Sequence, residues 1–302
     1  MLRRSLLLTP LALAQPPKPR EWVTAAASRD TAPRVALIPS NFKGGVELDD
    51  RKIRPLANPA PLDAPLSPAH LDDMFRLAVE LGGGRRGGLS TAISHDDWVL
   101  INVAPQTPLP LTESLLRYLA QNRLGRRITV LGATPAAKCE LLNPATAQML
   151  EMPVEGRVFN TQNPTGLYKI PRALRECDKL ISLAPLATHP AAAIALTFLN
   201  YLNFSPNPPG NPALAALDIF SFHPADYAIL APSPNPRHNV LIAGNNATAV
   251  DAVGGAVLGL DSASIPHLEL AAQRGYGVNE AYSIWTRGEE IDEVKIKTPQ
   301  KP

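Results

Sequence analysis

The chain has 302 residues, of which 45% are hydrophobic and 19% are charged, which is typical of a globular protein with a sizeable core. A formal net charge of +2 does not argue for a nucleic-acid partner, and the arginine pairs Arg85-Arg86 and Arg126-Arg127 stand without interleaved aromatic residues. The sequence contains no GxSxG elbow, phosphate-binding P-loop, GxGxxG turn or paired-histidine spacing. The common hydrolase, nucleotide-binding and zinc motifs are therefore excluded.

The first residues have the pattern of an export signal. Arg3 and Arg4 give a positive start, residues 5–13 form a short apolar run, and residues 12–14 match the small-x-small cleavage pattern. We expect a signal peptide over 1–14, a linker over 15–33 and a periplasmic or extracellular protein, with the twin-arginine route open because of the arginine pair. The later sequence has no second apolar run of membrane length, so we expect no stable membrane insertion after cleavage.

Residues 34–302 are predicted to form a single α/β domain. Strands are predicted over 34–38, 97–103, 127–132, 157–160, 178–183, 227–230, 239–243 and, as a charged edge strand, 291–297. Helices are predicted over 68–81, 108–124, 141–150, 170–177, 191–203, 247–258 and 265–274. This alternation predicts a mainly parallel central sheet with helices on both faces.

Residues 239–261 carry the clearest local pattern in the chain. A buried strand is followed by a polar turn at 244–246, and Asn246 is a suitable N-cap for a helix rich in small residues. Open α/β sheets build binding sites at the carboxyl ends of their strands. Asp251, the carboxylate in the first turns of this helix, is therefore the leading site candidate.

Several stretches resemble, in order, the domain-of-unknown-function family 362. Its members typically show a "VLIKPN" strand, a "KTH" turn, a "KN" helix and a late "DPVAVDAVA" segment followed by "GLD". The matching stretches here are 99–104, 186–189, 199–200, 246–253 and 259–261, within a resemblance that spans roughly residues 34–297. The resemblance implies an α/β fold with a site at the strand ends, but no agreed reaction.

The chain departs from this family at its charged positions. Asn102, Ala187 and Leu199 stand where the family has lysines, and Asn246 replaces the first aspartate of the late motif. Three point charges that would suit an anionic group are therefore missing. The matching residues that remain are Thr188, His189, Asn200 and Asp251.

Two of these residues are candidates for catalysis. Asp251 could serve as an acid, base or metal ligand, or as a structural carboxylate that holds a neighbouring loop. His189 could ligate a metal or transfer a proton, or could cap and pack a helix start. The candidate ligand-binding residues are Asn41, Asn102, Thr188, Asn200 and Asn246.

Two main functions remain open from the sequence, and a third, a redox-associated accessory protein, is disfavoured by the missing cysteine clusters. In the first, the protein binds or acts on a small polar or anionic molecule at the strand ends, with a divalent metal as an optional cofactor. In the second, it is a non-catalytic binding or scaffold protein with a degenerate family site. Cys139 and Cys177 are too few and too far apart for an iron–sulfur cluster, and could form a disulfide or remain buried thiols.

Overall fold

The computed structural model describes residues 33–46, 52–83, 88–156, 158–234 and 237–297. The predicted export signal and almost all of the predicted linker lie outside these residues. Among the described residues, no helix combines the length and the apolar character needed to cross a bilayer.

The described residues form strands, α-helices and short 3₁₀ segments. The strands are β1 (Arg34–Pro39), β2 (Gly45–Val46), β3 (Lys52–Ile53), β4 (Trp98–Val103), β5 (Arg127–Leu131), β6 (Glu140–Leu142), β7 (Met149–Pro153), β8 (Leu167–Pro171), β9 (Lys179–Pro185), β10 (Thr188–His189), β11 (Ala193–Ile194), β12 (Tyr227–Ala231), β13 (Ser233–Pro234), β14 (Arg237–His238), β15 (Val240–Gly244) and β16 (Trp285–Gly288). The helices are α1 (Pro68–Leu81), α2 (Leu89–Ala92), α3 (Leu109–Gln121), α4 (Arg172–Glu176), α5 (Pro212–Phe220), α6 (Ala247–Val257), α7 (Pro266–Gln273) and α8 (Ile291–Val294). The 3₁₀ segments are Leu199–Phe204, Ser262–Ser264 and Ala281–Ser283.

Eight strands form the central sheet in the order β16-β1-β15-β12-β9-β4-β5-β6. Seven of them run in the same direction, and β15 runs against both of its neighbours, β1 and β12. The predicted mainly parallel α/β fold is confirmed. Strand β15, which has the clearest pattern in the sequence, is the strand that runs antiparallel to the other seven.

Side chains of the sheet alternate between two apolar cores, as the pleat of a strand requires. In β15, Val240 and Ile242 face one core together with helices α5, α6 and α7, whereas Leu241 and Ala243 face the other core with α1 and α3. Helices therefore cover both faces of the sheet. This two-sided burial explains why β15 is a continuous apolar run rather than an alternating one.

The predicted helix starts are confirmed where a local cap defines them. Ser67 forms a capping box with His70 at the start of α1, and the Asn246 side chain accepts from the Ala249 N–H at the start of α6. Both caps depend on residues within one turn of the helix start. Sequence spacing is therefore sufficient to locate them.

Two predictions between residues 134 and 177 are wrong. Residues 141–150 form no helix, because Asn143 organises a turn that separates β6 from β7. Residues 158–160 form no strand, since the backbone N–H groups of Phe159 and Asn160 donate to the Asp218 carboxylate, and Arg157 lies outside the described residues. The predicted helix over 170–177 is shorter, because Ile170 belongs to β8, which pairs with β7.

Two later predictions are also wrong. Residues 191–203 are not one helix but the strand β11, paired with β10, followed by a 3₁₀ segment, with Ala193 at a positive φ of 65°. Residues 291–297 are not a strand, because Ile291 and Val294 are buried together on the short helix α8, and the Ile296 N–H donates to the Val257 carbonyl. The sequence prediction also lacked α5 and β16.

Candidate functional site

The predicted site residues do not all lie at the same edge of the sheet. Gly244, at the end of β15, pairs with Ala228 and Val35, which are early residues of β12 and β1. Asn246 therefore lies at the amino-terminal edge of the parallel strands, where it caps α6 and donates to the Tyr276 carbonyl over 3.1 Å. Asn41, Asn102, Thr188 and His189 instead lie in or after strands towards the carboxyl edge, so the expected grouping with Asn246 is corrected.

Asn102 and Asn200 meet in a buried amide cluster, which consists of Asn102, Ser182, Asn200 and Asn203. The Asn102 side chain donates to the Asn200 carbonyl over 2.9 Å, and the Asn200 side chain donates to the Asn102 carbonyl over 2.8 Å and to Ser182 Oγ over 3.0 Å. Asn203 donates to both Oδ1 atoms, at 3.0 Å and 2.7 Å. These side chains hydrogen-bond to one another and to the backbone of the same residues. The cluster therefore links β4, β9 and the 3₁₀ segment.

Asp251 is completely buried on α6 and holds a neighbouring loop. Its Oδ1 accepts from the Thr197 N–H over 3.0 Å, and its Oδ2 accepts from the Phe198 N–H over 3.1 Å. Burial raises the pKa of Asp251 to about 7, and the hydrogen bonds from the side chain of Thr197 and from the backbone of Thr197 and Phe198 lower the pKa and offset part of that rise. The geometry corresponds to the structural alternative for this residue, because both oxygens are occupied and the group has no exposure.

His189 and Thr188 bond within their own hairpin. His189 Nδ1 accepts from the N–H groups of Ala192 at 3.1 Å and Ala191 at 3.3 Å, and Thr188 is exposed opposite Ile194 in the β10–β11 pair. Asp251 instead bonds to the 197–198 backbone. His189 and Asp251, the two catalytic candidates, therefore have separate hydrogen-bonding partners.

Asn41 lies just beyond β1 at the carboxyl edge. Its side chain is exposed, and the preceding Ser40 donates its backbone N–H to the Asn239 carbonyl, next to the start of β15. Asn41 is thus separated from the amide cluster by the width of several strands.

A second buried aspartate was missed by the sequence analysis. Asp218 on α5 accepts from the N–H groups of Phe159 at 2.9 Å and Asn160 at 3.1 Å, and from the Tyr168 hydroxyl at 3.0 Å. Burial raises the pKa of Tyr168 to about 12, so the phenol remains a donor. The available signal was an aspartate within the apolar run of residues 213–220.

The described residues contain no group of three His, Cys, Asp or Glu side chains that could hold a metal ion. Cys139 and Cys177 form no disulfide in the structure, so the disulfide alternative is not realised.

A cavity of about 310 Å³ opens at the carboxyl edge, beside the start of β15. We call it the cationic cavity, and it is lined by Leu62, Arg237, His238, Glu293, Val294, Lys295, Ile296 and Lys297. The Ile296–Val257 hydrogen bond holds the C-terminal segment against α6, and His238 Nε2 donates to the Val294 carbonyl over 2.6 Å. Burial lowers the pKa of His238, which favours the neutral imidazole. The sequence gives no sign of this site, because the alternating charges of residues 291–297 predict an edge strand.

Comparisons with known proteins give no close relative. No family model matches the chain, and no curated protein matches it. A solved structure, the lactate racemase apoprotein from Thermoanaerobacterium thermosaccharolyticum, is similar to it at 13% identity with a TM-score of 0.39. That match covers 61% of this chain and 55% of the other chain.

Proposed function

We propose that this chain is a non-catalytic binding protein for a small anionic molecule, which it holds in the cationic cavity. The observation that carries the proposal is the charge of the lining: three exposed cations, Arg237, Lys295 and Lys297, border the same space as a single carboxylate, Glu293. Cationic side chains that converge on one concave space favour carboxylate or phosphate groups. The volume of about 310 Å³ lies at the small end of the usual range for ligand sites.

The position and composition of the cavity refine the ligand class. It lies at the carboxyl edge of the parallel strands, where open α/β sheets bind their ligands. Leu62, Val294 and Ile296 supply apolar lining beside the charges. We therefore propose an anion with a short apolar part, such as a phosphate monoester or a small carboxylate.

The predicted family site supports binding rather than catalysis. Asp251 is inaccessible and the amide cluster is saturated by internal hydrogen bonds. Leu199, at the position of a family lysine, packs against Ala192 and Ala213. We propose that the chain is a diverged, exported relative of the domain-of-unknown-function family 362, whose ancestral site has become a structural element.

The test compares one charge reversal inside the cavity with one outside it. Lys295→Glu changes the lining, whereas Lys169→Glu changes an exposed lysine of β8 that pairs with Glu151 over 3.5 Å. Thermal unfolding is measured against a concentration series of inorganic phosphate, phenyl phosphate and benzoate. A ligand that binds only the folded state raises the midpoint, by the equivalent of about 2.7 kcal/mol at a hundred times its dissociation constant.

We expect phenyl phosphate to raise the midpoint of the native protein and of Lys169→Glu, and to lose most of this effect in Lys295→Glu. Phenyl phosphate should exceed inorganic phosphate because its ring contacts the apolar lining. Equal shifts in both variants, or no shift with any of the three anions, would contradict the proposal. Conversion of a bound anion to a product would show that the protein is an enzyme, and the proposal of a non-catalytic binding protein would then be wrong.

A further inference from the structure

A cluster of titratable side chains lies at the amino-terminal edge of the sheet, opposite the cationic cavity. We call it the thiol cluster, and its members are Cys177, Lys179, His223 and Asp226. Cys177 follows α4, Lys179 begins β9, and the other two lie between α5 and β12. Two separate connections of the chain, α4 to β9 and α5 to β12, therefore bring these groups together.

The imidazole of His223 lies between the thiol and the carboxylate. Cys177 Sγ is 3.9 Å from His223 Nδ1, and His223 Nε2 is 3.5 Å from Asp226 Oδ2. Asp226 is itself held in place, because it accepts from the Leu180 N–H over 2.9 Å and pairs with Lys179 Nζ at 3.2 Å. A thiol, an adjacent base and a charged group on the far side of the base are the groups that activate a cysteine nucleophile, and here Asp226 faces the imidazole at ion-pair distance rather than through a hydrogen bond.

We propose that Cys177 is a reactive thiol that is modified by small electrophiles, and specifically by peroxides. The Cys177 proton moves to His223 Nδ1, and the thiolate attacks one oxygen of hydrogen peroxide. The S–O bond forms while the O–O bond breaks, so that sulfur is oxidised to the sulfenic acid and the leaving hydroxide takes the Nδ1 proton to become water. The peroxide is the oxidant, and the step needs no further reactant.

The carboxylate of Asp226 lies on the Nε2 side of the imidazole, opposite the thiol, and Lys179 pairs with the other oxygen of this carboxylate. A carboxylate in this position favours transfer of a proton from the thiol to Nδ1. Tyr201 donates its hydroxyl to the His223 carbonyl over 2.9 Å, and burial raises the pKa of this phenol well above its ordinary value, so it stays neutral. Cys177 and the His223 side chain are 5% and 11% exposed, which restricts the site to small reagents.

Cys139 serves as an internal control within the same molecule. It is more exposed than Cys177, and burial raises the pKa of its thiol. Exposure alone would make Cys139 the faster thiol. Activation by His223 would make Cys177 the faster thiol.

The experiment measures the alkylation rate of each thiol in the folded full-length protein with iodoacetamide, from pH 6 to pH 10, and its oxidation by hydrogen peroxide. Peptide mass spectrometry separates the two sites. At pH 7 we expect Cys177 to react faster than Cys139, and His223→Gln to slow Cys177 about tenfold, since an ordinary thiol is only a few per cent ionised at that pH. At pH 10 the two proteins should react alike.

Three results would overturn the proposal. The first is a Cys177 that stays unmodified while Cys139 is alkylated. The second is a His223→Gln variant that reacts faster at every pH, because a histidine that only packs over the thiol would uncover it when replaced. The third is modification that occurs only from the unfolded chain. Modification that requires global unfolding is recognised by its acceleration in dilute urea and counts against the proposal.

Discussion

Asp251 and Asp218 are buried carboxylates that each hold two consecutive backbone N–H groups of a distant segment. Asp251 holds residues 197 and 198 from α6, and Asp218 holds residues 159 and 160 from α5. An unpaired donor in such a place costs about 1–3 kcal/mol. A carboxylate in the middle of an apolar helix is thus explained by the backbone donors that it satisfies, without a substrate.

The raised pKa of Asp251 predicts a specific dependence of stability on pH. The folded state keeps the proton up to about pH 7, whereas the unfolded chain releases it near 3.8. Proton binding by Asp251 therefore adds up to about 4 kcal/mol to the free energy of unfolding below pH 3.8. This stabilisation is lost as the pH rises to about 7. We expect urea unfolding to show this loss for the native protein between pH 4 and 7, and Asp251→Asn to lack that component. The same pH dependence in both proteins would mean that Asp251 is ionised throughout, because its two N–H donors outweigh burial.

At the scale of elements, helix α1 ends in direct contact with the reversed strand. Gly82 follows α1, its N–H donates to the Ala78 carbonyl, and its own carbonyl accepts from the Tyr227 hydroxyl over 2.7 Å. A Cβ at this position would overlap the carbonyl oxygen of Ala243 in β15. Since backbone atoms of a central strand cannot move aside cheaply, the helix and sheet can only pack this closely with glycine here.

This contact predicts different outcomes for two glycine substitutions. Gly82→Ala should lower the free energy of unfolding by about 1–3 kcal/mol through overpacking. Gly255→Ala is the matched control, because its added Cβ meets Ile265 Cδ1 at 3.2 Å, a flexible side-chain end, and α6 gains helix propensity of up to about 1 kcal/mol. Urea denaturation of the two variants tests the comparison. Equal changes in the free energy of unfolding for both variants would show that the backbone of β15 shifts to accommodate the added Cβ.

At the scale of the whole molecule, the strand order creates a buried centre and exposed margins. Strands β9, β12 and β15 have neighbours on both sides, and every residue of β12 and β15 is buried. Strand β6 lies at the end of the sheet with Leu141 55% exposed, and β7 pairs with β8 in a separate two-stranded sheet. The cationic cavity and the thiol cluster lie at opposite edges of this frame, so their chemistry is separated by the length of the strands.

This arrangement predicts a gradient of amide hydrogen exchange. Amides of β12 and β15 should exchange only through global unfolding, whereas those of β6 and the β7–β8 pair should exchange faster by local opening. Exchange measured by mass spectrometry in low urea checks the prediction, because urea accelerates global exchange far more than local exchange. Identical rates and urea responses for β6 and β15 peptides would refute it.

The sequence by itself determined the features that depend on neighbouring residues. The apolar runs of the central strands, the Asn246 cap, the start of α1 and the α/β class all follow from patterns within a few turns of chain. The burial of Asp251 and Asn200 was also foreseeable, because a lone polar residue in an apolar segment must find a partner.

Only the tertiary structure decided which partners these residues found. The direction of β15 depends on two neighbours that precede it along the chain. An α-helix over 191–203 is interrupted because Asp251, more than fifty residues away, accepts from the backbone N–H groups of Thr197 and Phe198. The cationic cavity joins His238 to a carbonyl 56 residues away, and the thiol cluster joins Cys177 to a histidine 46 residues away. Local propensity cannot encode such pairs, since their energy arises only when the packed sheet brings the distant segments together.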